Sequence, residues 1–141
     1  MDTSNIIEPN RLTNMQEMEV HVTGPDGANR LFIYSGMAEV ELCGGLPHPR
    51  WSLEVVCFEL GRKYDCDHGE EVVNIVATAS MAGGRTDGVA SFAGWQVFGC
   101  AGELDTDSGR VRMNIAAGAR DTQAFLEQIS FHINVLAKVN E

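Results

Sequence analysis

Ile129-Ser130-Phe131-His132-Ile133-Asn134-Val135 alternates apolar and polar side chains over seven residues. Successive side chains of a strand point to opposite faces. The run therefore predicts Ile129, Phe131, Ile133 and Val135 turned to a core, with Ser130, His132 and Asn134 on the other side. Leu136 then breaks the phase, placing an apolar residue on the polar side. A strand apolar on both faces needs cover on both, one face by a second sheet and the other by a subunit.

The same period of two recurs upstream. Met18–Thr23 alternates and stops at the turn residues Gly24-Pro25-Asp26-Gly27. Leu31–Tyr34, Ala38–Cys43, Trp51–Leu60 and Glu71–Thr78 read as further strands. The glycine-rich Ala82–Gly88 reads as a loop before a strand at Val89–Cys100. Gly99–Leu104 and Val111–Ile115, joined by Asp105–Arg110, form a hairpin. Helix signals are confined to Asp121–Gln128, with Asp121 or Thr122 as N-cap, and to Pro9–Met18. We expect an N-terminal extension over residues 1–17 and one domain over 18–141. The fold class expected is all-β, an antiparallel β-sandwich of seven or eight strands, jelly-roll or Ig-like. The alternative is a small closed β-barrel, suggested by the mixture of small and large residues in Val89–Gly99.

Ten Lys and Arg stand against twenty Asp and Glu, a formal charge of −10 in 141 residues. That balance argues against nucleic acid and anionic membranes, both of which reward clustered cations. With 44% hydrophobic residues the chain has enough apolar surface for a core without metal or disulfide staples. No run of about 18 apolar residues occurs, so no membrane span is expected. Met1–Glu17 carries no signal-peptide pattern and the four cysteines include no Cys-x-x-Cys pair. A cytoplasmic protein with reduced thiols is the expectation.

Few residues point to chemistry. Cys66 and His68 are weak zinc candidates, needing His48 or Cys43 from elsewhere, and the Cys-x-His spacing fits no common structural site. Asp105–Gly109 resembles the start of a calcium loop, but Ala116 stands where the closing Glu belongs, so it reads as a turn. Gly83-Gly84-Arg85 lacks the Lys and the following helix of a phosphate loop. Cys57 or Cys100 with His132 or His21 would make a thiol–imidazole pair, but cysteines on alternating strands read as small core residues. No cofactor is implied. The candidate ligand-binding residues are Trp51, Trp95, Ser130, His132 and Asn134, although Trp95 also suits a sandwich core.

Two functions follow. The first is a non-catalytic β-sandwich that binds a protein, glycan or small ligand through loops and a sheet face, or assembles with copies of itself, most simply as a dimer. The second is a barrel enzyme of cyclase or isomerase type. Its lumen would be lined by Phe92, Trp95, Phe98, Met113 and Phe131, with His132, Asp65 or Glu103 carrying protons.

Overall fold

The computed structural model describes residues 6–25, 27–47, 49–89 and 92–139. Seven strands follow a 3-10 turn at Pro9–Arg11, with a second 3-10 turn at Cys66–His68 between the third and fourth: β1 (Leu12–Gly24), β2 (Gly27–Cys43), β3 (Trp51–Leu60), β4 (Glu70–Thr86), β5 (Gly94–Leu104), β6 (Val111–Arg120) and β7 (Ala124–Val139). They form two antiparallel sheets, ordered β1-β2-β7-β4 and β3-β6-β5. The expected sandwich is what forms, and it does not close into a barrel. Pairing is nested: β2 with β7 in one sheet, β3 with β6 in the other, the chain crossing between sheets in between. An Ig-like domain would order its strands 1-2-5-4 and 3-6-7. Here the fifth and seventh strands exchange places, which is the wrapped arrangement of a jelly roll.

The core lies between the sheets and its residues keep the period of two. Val111, Met113, Ile115, Ala117 and Ala119 of β6 are buried, as are Ile129, Phe131, Ile133, Val135 and Ala137 of β7. Phe32, Tyr34, Ala38, Val40 and Leu42 of β2 and Val56, Phe58 and Leu60 of β3 complete it. The alternation at Ile129–Val135 thus points inward as its sequence predicts. Phe58 of β3 meets Phe131 of β7 at 4.8 Å between ring centroids, tying the two layers together.

Several boundaries differ from the sequence reading. Leu31–Tyr34 and Ala38–Cys43 are one strand, because Gly36 passes under the Phe131 ring and the Met15 sulfur without interrupting the ladder. Ala82–Thr86 continues β4 instead of forming a loop. Register shifts around Gly83 absorb the irregularity, and Gly84 lies flat beneath the Trp95 indole. Val89, Phe92 and Ala93 precede β5 and are not in a strand, while Ala90 and Ser91 lie outside the described residues. No helix forms at Asp121–Gln128, because Ala124 already pairs with Thr86 in β4. The first strand begins at Leu12, six residues before Met18, and Ile7 is buried in the core with its N–H donating to the Cys57 carbonyl at 2.8 Å.

Candidate functional site

The register places whole rows of side chains on the outer face of the four-stranded sheet, because directly opposed antiparallel residues share a face. One row is Met18, Ile33, Asn134 and Val76. The next is Val20, Leu31, Leu136 and Asn74. In the other direction come Gln16, Ser35, His132 and Thr78, then Thr13, Met37, Ser130 and Ser80. None of these sixteen residues is an acid, in a chain that carries twenty. Met18 is 61% exposed, Val76 52% and Val20 38%, so the apolar groups face solvent. Strand spacing and rise make the four rows about 14 by 20 Å, roughly 300 Å² in projection. Within the face the imidazole Nε2 of His132 lies 2.9 Å from the Asn134 side-chain oxygen. Ser130, His132 and Thr78 also border a shallow depression of about 110 Å³.

A second feature sits at the sandwich end formed by the β3–β4 connection and the β5–β6 turn. A cleft of about 780 Å³ is lined there by Arg62, Tyr64, Asp65, Cys66, Glu70 and Asp107, among others. Beneath it the Tyr34 and Tyr64 hydroxyls are hydrogen-bonded at 2.7 Å and buried. Burial raises both phenols above their ordinary range, Tyr64 the further of the two. Arg62 donates two hydrogen bonds to the Glu70 carboxylate, at 2.6 and 2.8 Å. That pairing holds the Glu70 carboxyl below its usual range. The same guanidinium lies over the Phe32 and Tyr64 rings, 5.1 and 5.2 Å from their centroids. The cluster locks the β3–β4 connection to the core. Its charged groups are consumed by one another.

The residues expected to carry protons do not meet. His132 is on the outer face of the four-stranded sheet, Asp65 is at the end cleft, and Glu103 is on the outer face of the three-stranded sheet, where it accepts from the Asn114 amide at 3.3 Å. The expected lumen does not exist. Met113 and Phe131 belong to the closed core, Trp95 is partly buried, and Phe92 and Phe98 are 54% and 41% exposed. The barrel reading fails because the strands pair into two separate sheets that pack as layers and do not close on one another.

Of the metal candidates, the two described cysteines do not converge. Cys66 is exposed at the end cleft, His48 lies outside the described residues, and so does the side chain of His68. Cys43 pairs with Phe125 at the opposite end, eleven residues along β2 from the Phe32 that touches Tyr64, or about 35 Å. Among the described residues no group of three His, Cys, Asp or Glu is placed to hold a metal. The Asp105 carboxylate is occupied by the N–H groups of Asp107 and Ser108 and by Arg112, which is the turn its sequence predicts.

Of the ligand-binding candidates, Ser130, His132 and Asn134 share the outer face of the four-stranded sheet. The tryptophans do not join them. Trp95 packs inward and donates to the Phe125 carbonyl at 2.7 Å. Trp51 lies on the outer face of the three-stranded sheet, edge-on to Phe98 and stacked against Arg120. The Met18, Val20, Ile33 and Val76 contributions to the charge-free face were not evident in the sequence. Alternation marks Met18, Val20 and Val22 as apolar without saying that this side faces away from the second sheet. Comparison with protein-family profiles, curated proteins and solved structures returns no match.

Proposed function

We propose that the protein is a non-catalytic β-sandwich module that assembles with copies of itself through the outer face of its four-stranded sheet. The observation that carries this reading is the absence of acids from sixteen adjacent positions that include exposed Met18, Val20 and Val76. Two copies of a chain with a charge of −10 repel one another wherever carboxylates meet. This face is where they can approach without that cost, and its apolar groups reward the approach. A two-fold axis through the face makes the contact self-complementary, the commonest symmetry of soluble oligomers.

Leu136→Glu tests the reading. An unpaired carboxylate in an apolar contact should cost about 3 kcal/mol or more, on the order of 100-fold in Kd. Size-exclusion chromatography with light scattering should show a lower mass for this variant than for the unaltered chain. Leu53→Glu is the control, making the same chemical change at a 51% exposed position on the other sheet, and should leave the mass unchanged. An unaltered mass for Leu136→Glu, or an equal drop for both, overturns the proposal.

A further inference from the structure

The edges of the two sheets are not treated alike. β3 is bordered by the N-terminal segment, where Ile6 bridges Cys57 and the Ile7 N–H donates to the Cys57 carbonyl. The free sides of β4 and β5 lie against one another. The Cys100 thiol reaches the Ala77 carbonyl at 3.5 Å, and Gly102 and Gly84 admit the Ile75 and Trp95 side chains. β1 has no such cover among the described residues. Its thirteen residues include no proline, and its register shift lies between Thr13 and Gln16, leaving Gln16–Gly24 regular. A long bare edge of this kind is a template for another strand.

We infer that β1 pairs antiparallel with β1 of a second copy, with the two-fold axis at Val20; this deepens the self-assembly reading above and rests on it. The register follows from hydrogen bonding and charge. Gly24 opposes Gly27 across a two-residue connection, so the main-chain groups of Gly24, Val22, Val20 and Met18 point toward β2. Those of Glu17, Glu19, His21 and Thr23 point to the free side. Pairing must therefore match odd residues with odd residues and keep the two faces of the sheet in phase. An axis at Met18 would set Glu17 opposite Glu19 of the second copy, twice. An axis at Glu19 would set the two Glu19 residues against each other. An axis at Val20 sets Glu19 opposite His21 and Glu17 opposite Thr23, with no like charges opposed. It also joins Met18, Val20 and Val22 of both copies into one continuous apolar row. The acids thus exclude the registers at Met18 and Glu19, and among the registers that oppose no acids the one at Val20 aligns the whole regular stretch Gln16–Gly24 and sets Glu19 against a histidine twice.

The consequence concerns size. One sheet presents roughly 300 Å² of charge-free face, small beside the about 800 Å² per partner of a standard interface. Edge pairing places two such faces side by side in an eight-stranded sheet. Two such sheets, packed face to face, close into a tetramer with intersecting two-fold axes.

Cysteine cross-linking reads the register directly. Cys43 and Cys66, both exposed, are first replaced by Ser. Val20 then faces itself across the axis at a pair position without main-chain hydrogen bonds, where Cα atoms stand about 4.5 Å apart, within disulfide reach. Val20→Cys should oxidise to a covalent dimer in air, while Met18→Cys and Glu19→Cys should remain unlinked. Preferential linking of Glu19→Cys or Met18→Cys, or no linking of any of the three, overturns the inference. His21→Glu opposes two pairs of carboxylates and should weaken edge pairing roughly tenfold. The two interfaces fail separately. If only the edge exists, Val20→Cys links while Leu136→Glu leaves the mass unchanged. If only the face exists, Leu136→Glu lowers the mass while Val20→Cys stays unlinked.

Discussion

Tyr34→Phe and Tyr64→Phe remove the same hydrogen bond and should not cost the same. The two hydroxyls are 2.7 Å apart and both residues are 2% exposed. The Arg62 main chain also acts on the Tyr34 phenol, lowering it against the effect of burial, whereas the Tyr64 hydroxyl is held by Tyr34. Tyr64→Phe leaves Tyr34 with a partner, so only the net worth of one hydrogen bond is lost, about 1 kcal/mol. Tyr34→Phe strands the Tyr64 hydroxyl and removes the Arg62 partner, which should cost about 2–3 kcal/mol. At roughly 3–5 °C per kcal/mol for a chain of this size, the midpoints should fall by about 4 °C and about 10 °C. The double variant should be less destabilised than the sum, because replacing both hydroxyls leaves no stranded phenol. Urea unfolding followed by fluorescence, with equal slopes in the variants, measures all three. Equal losses in the two single variants, or strict additivity in the double, would refute the assignment of partners.

The same pair sets the alkaline limit. Burial raises both phenols in the folded chain, so the stability they contribute is fully present below their unfolded value near 10 and is lost as pH rises beyond it. Unfolding in the unaltered protein should therefore become easier above pH 10, and the double phenylalanine variant should lose much of that dependence.

Further outcomes follow from other contacts. Glu70 has its carboxyl lowered by Arg62, so its contribution is present above about pH 4.3 and fades as pH falls through the folded value; Glu70→Gln should flatten acid unfolding in that range, read by circular dichroism. Gly102→Ala would place a methyl carbon 2.7 Å from the Ile75 Cγ2, where Gly99→Ala meets nothing within 4 Å. The first should destabilise by about 1–3 kcal/mol and the second should be neutral or slightly stabilising, by thermal unfolding. Leu136→Glu should lower the oligomeric mass while leaving the unfolding transition of the isolated chain within about 0.5 kcal/mol, because Leu136 is outside the core.

The fold was legible where strand period and burial agree. Ile129–Val135 alternates because one face of β7 packs on the core and the other forms the outer face of its sheet, and β3 matches Trp51–Leu60 residue for residue. Legibility ended where tertiary packing overrode local signals. Gly36, Gly83 and Gly84 look like breaks, yet each is a place where Phe131, Gln128 or Trp95 presses on the backbone, and the strand continues. The out-of-phase Leu136 did mark the outer face. Its neighbours did not, since only the register shows that Met18, Val20, Leu31, Ile33 and Val76 share that side. The Arg62–Glu70 and Tyr34–Tyr64 cluster joins residues eight and thirty positions apart, with no spacing that would mark them in a sequence. Gly61 belongs to it too. It adopts a φ of +76° beside the Tyr34 ring, where a side chain would collide.

The most direct test of self-assembly is sedimentation equilibrium on the unaltered chain across micromolar concentrations at neutral pH. Self-assembly through these surfaces predicts a mass of two or four times 15.3 kDa, dissociating on dilution. A single species of 15.3 kDa at every concentration would contradict it.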